Sequence, residues 1–151
     1  MSGYFAIGIY HPMKSVNLGS LYRSAYCFGA SYIFTVGHRF HKQNSDTVRS
    51  WRHIPLFNYQ TSEDFLKNRP HDCLIIGIEQ TTKAKQIHGF AHPKRAIYLL
   101  GAEDKGLPGH ILNLCNDVIE IPSKQCLNVA MAGSIVMFDR INKSNTHKYQ
   151  E

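Results

Sequence analysis

Short apolar runs alternate along this chain with segments whose apolar residues recur at helical spacing. Five of these apolar runs predict strands: Phe5–Tyr10, Ser31–Val36, Cys73–Ile78, Ala96–Leu100 and Val118–Ile121. A sixth run, Ile54–Tyr59, is a possible short strand. Several of these runs are apolar throughout. Continuous apolar strands indicate a sheet that is covered on both faces.

Four segments predict helices. The first has Asn17 as its N-cap and ends before Gly29, with apolar residues at helical spacing between them. The others are Thr61–Arg69, Pro108–Cys115 and Leu127–Ile141. This alternation predicts an α/β fold, with a mostly parallel sheet flanked by helices. Ligands bind such sheets at the carboxyl ends of the strands.

The chain of 151 residues suits one domain, expected over residues 1–143 and followed by a polar tail, 144–151. Lys and Arg exceed Asp and Glu by 17 to 11, and this excess favours a polyanionic partner such as RNA. The four cysteines form no CxxC pair, which indicates reduced thiols and no metal site. No signal peptide or membrane span is evident, so we expect a cytoplasmic protein.

The first helix opens with residues that an ordinary helix does not need. Asn17 and Arg23 lie about 120° apart around the helix, so both can border one cleft at a strand end. Gly19 in the first turn costs about 1 kcal/mol relative to alanine, which indicates a close approach to the backbone. The alternative is an ordinary capped helix with a solvated arginine.

An acidic pair between two glycines, in Gly101–Leu107, follows the strand that ends at Leu100. Glycine lets a backbone approach a ligand or adopt positive φ. The segment is neither GxGxxG nor a P-loop. Its acidic residues suit a cationic or hydroxyl-bearing ligand better than a phosphate. A plain turn is the alternative.

A third unusual segment joins the last strand to the last helix. The strand ends at Pro122, a short loop follows, and Asn128 can hold backbone groups or a ligand. The helix that follows is rich in small residues: Ala130, Ala132, Gly133 and Ser134. These permit close packing within the chain or against a second subunit.

In order and residue type, the three segments resemble the motifs of the TrmH/SpoU branch of the SPOUT superfamily of RNA methyltransferases. The first motif, NxGxxxR, is matched by Asn17, Gly19 and Arg23. The second, GxExxGL, is matched by Gly101, Glu103, Gly106 and Leu107. The third, IP followed by a loop and SLNVS, is matched by Ile121, Pro122, Leu127, Asn128 and Val129. The resemblance spans nearly the whole chain.

The resemblance implies methylation of a ribose 2′-hydroxyl of tRNA or rRNA, with S-adenosylmethionine as the cofactor; the short chain favours tRNA. It also implies a C-terminal trefoil knot, with the segment from roughly Gly101 to Ile141 threaded through an earlier loop. The residues expected around the cofactor are Glu79, Gln80, Leu100, Gly101, Ile121, Cys126 and Leu127.

The resemblance places catalysis on Arg23, Asn17, Glu103 and Asn128. The family's arginine is often proposed as a general base, but a guanidinium with a pKa above about 12 keeps its proton. We therefore expect Arg23 to orient the hydroxyl or a phosphate and to stabilise developing negative charge. Glu103 is expected to hold Arg23 or Asn17, or to interact with the cofactor.

The sequence departs from the family's usual pattern in the third motif. Its loop is shorter, Ser123 stands where many members have Met, and Cys126 and Ala130 stand where many have Ser. These departures indicate a distinct subgroup.

Basic and aromatic residues in the polar loop of residues 37–52 suit RNA binding. The cations are His38, Arg39, His41, Lys42, Arg49 and Arg52, interleaved with Phe40 and Trp51. A solvated loop is the alternative. The family also implies a homodimer, with the first helix and the helix from Leu127 as candidates for the interface.

Three other functions remain open from the sequence. A non-catalytic RNA-binding paralogue would keep the fold and lose the cofactor. A base methyltransferase of a sister SPOUT branch is less favoured, because Asn17 with Arg23 indicates ribose chemistry. A nucleotide-binding α/β domain lacks its usual phosphate-binding glycines here.

Overall fold

The computed structural model describes residues 3–37, 50–102 and 105–145. Seven strands form one sheet in the order β3-β2-β1-β6-β4-β7-β5. The strands are β1 Tyr4–Tyr10, β2 Tyr32–Val36, β3 Leu56–Tyr59, β4 Leu74–Ile78, β5 Lys85–Gln86, β6 Arg95–Leu100 and β7 Asp117–Glu120. Every pair of neighbouring strands in the described ranges is parallel. The predicted α/β fold is confirmed.

Helices cover both faces of this sheet, and they are α1 Ser15–Phe28, α2 Ser62–Asn68, α3 Gly109–Leu112 and α4 Val129–Asn145. Because side chains alternate along a strand, Ile7 and Ile9 pack in one core with α1 and α4, whereas Ala6 belongs to a second core with α2 and α3. The continuous apolar runs therefore reflect burial on both faces. Within the described ranges, no helix is both long and apolar enough to cross a membrane.

Helix ends follow local chemistry in three cases. Thr61 caps α2 by accepting a hydrogen bond from the Asp64 amide at 3.0 Å. Gly29 ends α1 with a left-handed φ of 83°. The predicted helix Pro108–Cys115 is shorter, because after Leu112 the chain tightens to turns in which Leu114 donates to Ile111 and Cys115 to Leu112.

Two other predicted boundaries are wrong. Helix α4 starts after Leu127 and runs to Asn145, past the expected end at Ile141. Lys143 explains part of this length, since its ammonium group donates to the carbonyls of Ile87 and Phe90 at 2.5 and 2.8 Å. The sequence pattern also missed β5, whose two residues are both exposed.

Candidate functional site

One cleft lies where the central strands β6, β4 and β7 end. It encloses about 830 Å³, counted with the space at its open mouth. Its lining comes from three chain segments: the residues after β4, the turn after β6 and the loop after β7. This is the edge where parallel sheets bind ligands. All the residues predicted to surround a cofactor line it: Glu79, Gln80, Leu100, Gly101, Ile121, Cys126 and Leu127.

The turn after β6 needs glycine at both positions of the second motif that carry it. Gly106 has a left-handed φ of 63°, and a Cβ there would lie 2.3 Å from the Glu79 carboxylate. A Cβ on Gly101 would lie 2.3 to 2.6 Å from the Gly106 backbone. The Gly106 amide donates to the Ala102 carbonyl at 3.0 Å, which closes the turn. The glycines thus permit backbone to pack on backbone beside the cleft.

The Glu79 side chain stabilises this turn directly. Its Oε2 accepts from the Leu107 amide at 2.8 Å and its Oε1 accepts from the Gln80 amide at 3.0 Å. A carboxylate that accepts two amide hydrogen bonds holds its backbone partners firmly. Glu79 therefore shapes the wall of the cleft as well as lining it.

Asn17 does not cap α1, and that prediction is wrong. The helix begins at Ser15 after Lys14, so Asn17 lies in its first turn, and it is 6% exposed. Its Oδ1 accepts a hydrogen bond from Asn128 Nδ2 at 2.9 Å. A buried amide needs a partner, and a residue on the opposite segment supplies it. The first and third motifs are thereby joined.

Asn128 is itself the cap of α4. Its Oδ1 accepts from the Met131 amide at 3.2 Å, as an N-cap does at the third helical residue. Val129 and Ala132 in the first turns of α4 line the cleft. The cap thus fixes the end of the helix that forms one wall.

Arg23 lies apart from these residues. It is exposed on α1, and within the described part of the chain it makes no hydrogen bond or ion pair. Asn17 faces α4, and Arg23 projects about 120° away from it around the helix. A single chain therefore does not bring Arg23 to the described lining of the cleft.

Four predicted residues, Glu103, Arg39, Lys42 and Arg49, lie outside the described residues, as do His38, Phe40 and His41. Arg52 is exposed, and its guanidinium lies 5.0 Å from the centroid of the Trp51 ring. Trp51 packs partly against the core. The Tyr22 hydroxyl donates to the Ile54 carbonyl, and the Tyr26 ring stacks on His53 at 4.4 Å.

Sequence reasoning missed several lining residues, among them Ala102, Lys105, Glu120, Ser123 and Ala132. Ala102 and Lys105 belong to the second motif, so its position could have suggested them. Glu120 accepts a hydrogen bond from Gln86, which lies on the strand that the pattern missed.

The small residues of α4 pack inside the chain. Ala130, Ala132 and Gly133 are buried, and a Cβ on Gly133 would lie 2.5 Å from the Leu21 side chain of α1. Of the two possibilities that the sequence left open for these small residues, the structure shows packing within the chain. The outward face of α4 carries larger apolar side chains instead: Met131, Ile135 and Phe138.

The chain is similar in sequence to two known methyltransferases. The chain is 26% identical over 137 residues to the tRNA (guanosine(18)-2′-O)-methyltransferase TARBP1 of Mus musculus, which covers 83% of this chain and 8% of that protein. It is 26% identical over 135 residues to the tRNA (guanosine(18)-2′-O)-methyltransferase of Saccharomyces cerevisiae, covering 82% and 9%. The chain thus spans less than a tenth of the length of either relative.

The fold is also similar to solved structures. An AdoMet-bound rRNA methyltransferase from Sinorhizobium meliloti superposes with a TM-score of 0.82 at 23% identity, over 95% of this chain and 57% of that one. The sequence profile described as the SpoU rRNA Methylase family matches residues 4–138. Since that match covers most of the chain, this chain belongs to the SpoU rRNA methylase family.

Proposed function

We propose that this chain is an RNA methyltransferase that uses S-adenosylmethionine to methylate a ribose 2′-hydroxyl. The observation that carries the proposal is the cleft. The seven residues that the sequence predicts around the cofactor come from three separate segments, and all of them line it. Family membership supports the same activity. The names of the two curated relatives support tRNA as the substrate.

The residues of the cleft fit this cofactor. Ile78, Leu100 and Val129 offer apolar surface for an adenine ring, and the backbone of the three lining segments offers polar groups. A mostly apolar cleft with a few placed polar groups is the usual form of such a site. When bound, S-adenosylmethionine supplies a methyl group on a positively charged sulfur.

In this proposal the protein acts by alignment and charge. Asn17 and Asn128 hold α1 and α4 together beside the cleft. Arg23 orients the ribose hydroxyl or an adjacent phosphate and stabilises the negative charge that develops on the oxygen. The placement of the hydroxyl in line with the methyl group accounts for much of the acceleration.

Arg23 would reach the cleft of a second copy of the chain. The exposed apolar side chains of α4, which are Met131, Ile135 and Phe138, offer a surface of the kind that marks an interface. A homodimer through this face would cover it and bring the exposed surface of α1 toward the partner. The trefoil knot, the domain boundary after residue 143 and a cytoplasmic location stay predictions.

Mixed dimers test this arrangement. Arg23→Ala and Asn128→Ala subunits, each inactive alone, are co-expressed with different tags and purified as heterodimers. If Arg23 serves the partner's cleft, one site of each heterodimer carries both changes and the other carries neither, so about half of the wild-type activity returns. If Arg23 serves its own cleft, both sites stay damaged and no activity returns.

Titration calorimetry with S-adenosylmethionine and with its demethylated product tests cofactor use. Micromolar binding of either supports the proposal. A folded protein that binds neither at millimolar concentration would contradict it and favour a non-catalytic RNA-binding paralogue.

A further inference from the structure

The loop after β7 forms one side of the cleft without the support of a core. Residues 122–128 are all exposed, and they belong to no helix or strand. Ser123, Cys126 and Leu127 in this loop nevertheless line the cleft. Since apolar burial does not fix the loop, its side-chain hydrogen bonds must account for much of its order.

Those hydrogen bonds converge on Gln80. Its Nε2 donates to Ser123 Oγ at 2.8 Å and to the Ile121 carbonyl at 3.4 Å. The Cys126 thiol donates to Gln80 Oε1 at 3.7 Å. Both ends of the carboxamide are therefore used, and they hold the loop at both of its ends.

The loop also closes on itself through one of these partners. Ser123 Oγ accepts from Gln80 and donates to the Gln125 carbonyl at 2.7 Å. Ser123 and Cys126 are two of the positions at which this sequence departs from the usual third motif. Both side chains are partners of Gln80, so the departures form one connected set with it.

Gln80 and Glu79 each stabilise a different loop beside the cleft. Glu79 holds the turn after β6 through the Leu107 amide, and Gln80 holds the loop after β7 through Ser123. The two residues directly follow β4, which lies between β6 and β7 in the sheet. The end of the central strand thus anchors both walls of the cleft.

We propose that Gln80 is a positioning residue that holds the loop of residues 122–128 in its ligand-binding conformation and so sets the affinity for S-adenosylmethionine. The role in affinity rests on the proposed function. A loop ordered in advance loses less conformational entropy when the ligand binds. Loss of the carboxamide would therefore weaken binding without removing a group that reacts.

Binding and kinetics test the role in affinity. Gln80→Ala is expected to raise the dissociation constant for S-adenosylmethionine roughly tenfold, because it removes the three hydrogen bonds that hold the loop, with kcat at saturation nearly unchanged. Gln60→Ala, an exposed glutamine that precedes α2, is the matched control and should leave both unchanged. Equal affinity in Gln80→Ala and wild type would overturn the proposal.

A double-mutant cycle tests the partner. If Gln80 acts through Ser123, then Gln80→Ala combined with Ser123→Ala should weaken binding little more than Gln80→Ala alone. Fully additive effects would show that the two residues act separately, and they would contradict the proposal that Gln80 acts through Ser123.

Proteolysis without cofactor tests the loop itself. Lys124 lies in the loop, so trypsin cleavage after Lys124, followed by mass spectrometry, reports its opening. Gln80→Ala should accelerate this cleavage several-fold relative to wild type and Gln60→Ala; an unchanged rate would overturn the proposal. If the wild type binds no S-adenosylmethionine, the proposed function fails, and the cleavage rate still decides whether Gln80 holds the loop.

Discussion

At the scale of single residues, the site depends on side chains that hold backbone segments. Glu79, Gln80 and Asn128 each contact main-chain atoms beside the cleft. Such contacts leave few groups free for a ligand, so much of the recognition would come from backbone groups. Changes at these positions should therefore act on the shape of the cleft before they act on chemistry.

Gly106 offers a test of that shape. Gly106→Ala should lower the free energy of unfolding by at least about 1–2 kcal/mol, because alanine strains a left-handed residue and its Cβ would meet the Glu79 carboxylate. Urea unfolding measures this change. Gly109→Ala is the control, since a Cβ there meets nothing within 4 Å. Equal stability of the two variants would contradict the assigned geometry.

Arg23 offers a test of chemistry. Arg23→Ala should reduce kcat at least tenfold and leave the dissociation constant for S-adenosylmethionine within about twofold of wild type, because the proposed partner of Arg23 is the ribose hydroxyl or a phosphate and not the cofactor. Rapid-quench methylation and calorimetry measure the two quantities. Parallel loss of both would contradict a role limited to the ribose hydroxyl.

The role of Asn17 could not be predicted from its local sequence. The motif match selected Asn17 and Asn128 as functional residues. The helix pattern, however, predicted that Asn17 caps α1, whereas its side chain bonds to Asn128. Its partner lies 111 residues away in the chain. Local sequence cannot distinguish an amide that caps its own helix from one that bonds across the fold.

At the scale of elements, α4 is anchored at its far end by a buried polar network. Arg140 donates to the carbonyls of Pro93 and Lys94 at 2.7 and 2.8 Å. His92 lies between Tyr98 and Asp139, at 2.7 Å from an oxygen of each. This network holds the helix that also forms a wall of the cleft.

The network predicts how stability depends on pH. Burial lowers the pKa of His92 below its ordinary value of about 6.5, although Asp139 opposes this shift; Lys143 and Arg140 add to the lowering. The folded state therefore favours neutral His92. Its contribution to stability is present above about pH 6.5 and is lost as the pH falls through the lower folded value.

Urea unfolding between pH 8 and pH 5 measures this dependence. His92→Gln should flatten part of the decline in stability below pH 6.5, because glutamine does not titrate. His88→Gln, at an exposed histidine in the same segment, should keep the wild-type slope. An unchanged slope in His92→Gln would contradict the assignment.

Elements with strong patterns were predictable, and those fixed by distant contacts were not. The apolar strand cores and the Thr61 cap follow from local sequence. Strand β5 has two exposed residues and no pattern to detect. The last turns of α4 are held by Lys143 and its carbonyl partners, which lie more than 50 residues earlier.

At the scale of the whole molecule, the exposed apolar side chains of α4 predict self-association. Ile135→Glu should convert the expected dimer to a monomer, because a buried carboxylate at the centre of an apolar interface is costly. Light scattering after size-exclusion chromatography measures the mass. Phe57→Glu changes a more exposed apolar residue on β3 and should leave the dimer intact. A dimeric Ile135→Glu variant would contradict this interface.

The position of the cleft could be predicted from sequence only through the motifs. Periodicity predicts strands whose carboxyl ends share an edge, but it does not give their order. The adjacency of β6, β4 and β7 brings Gly101, Gln80 and Cys126 into one cleft. That adjacency depends on packing between distant segments.

The most direct test of the account is methylation with labelled cofactor. Unmodified tRNA is incubated with the protein and S-adenosylmethionine that carries a deuterated methyl group, then digested to nucleosides and analysed by mass spectrometry. The account predicts a 2′-O-methylated nucleoside that carries the label, and its loss in Arg23→Ala. A label on a nucleobase, or no label in tRNA or rRNA from a protein that binds the cofactor, would contradict ribose methylation.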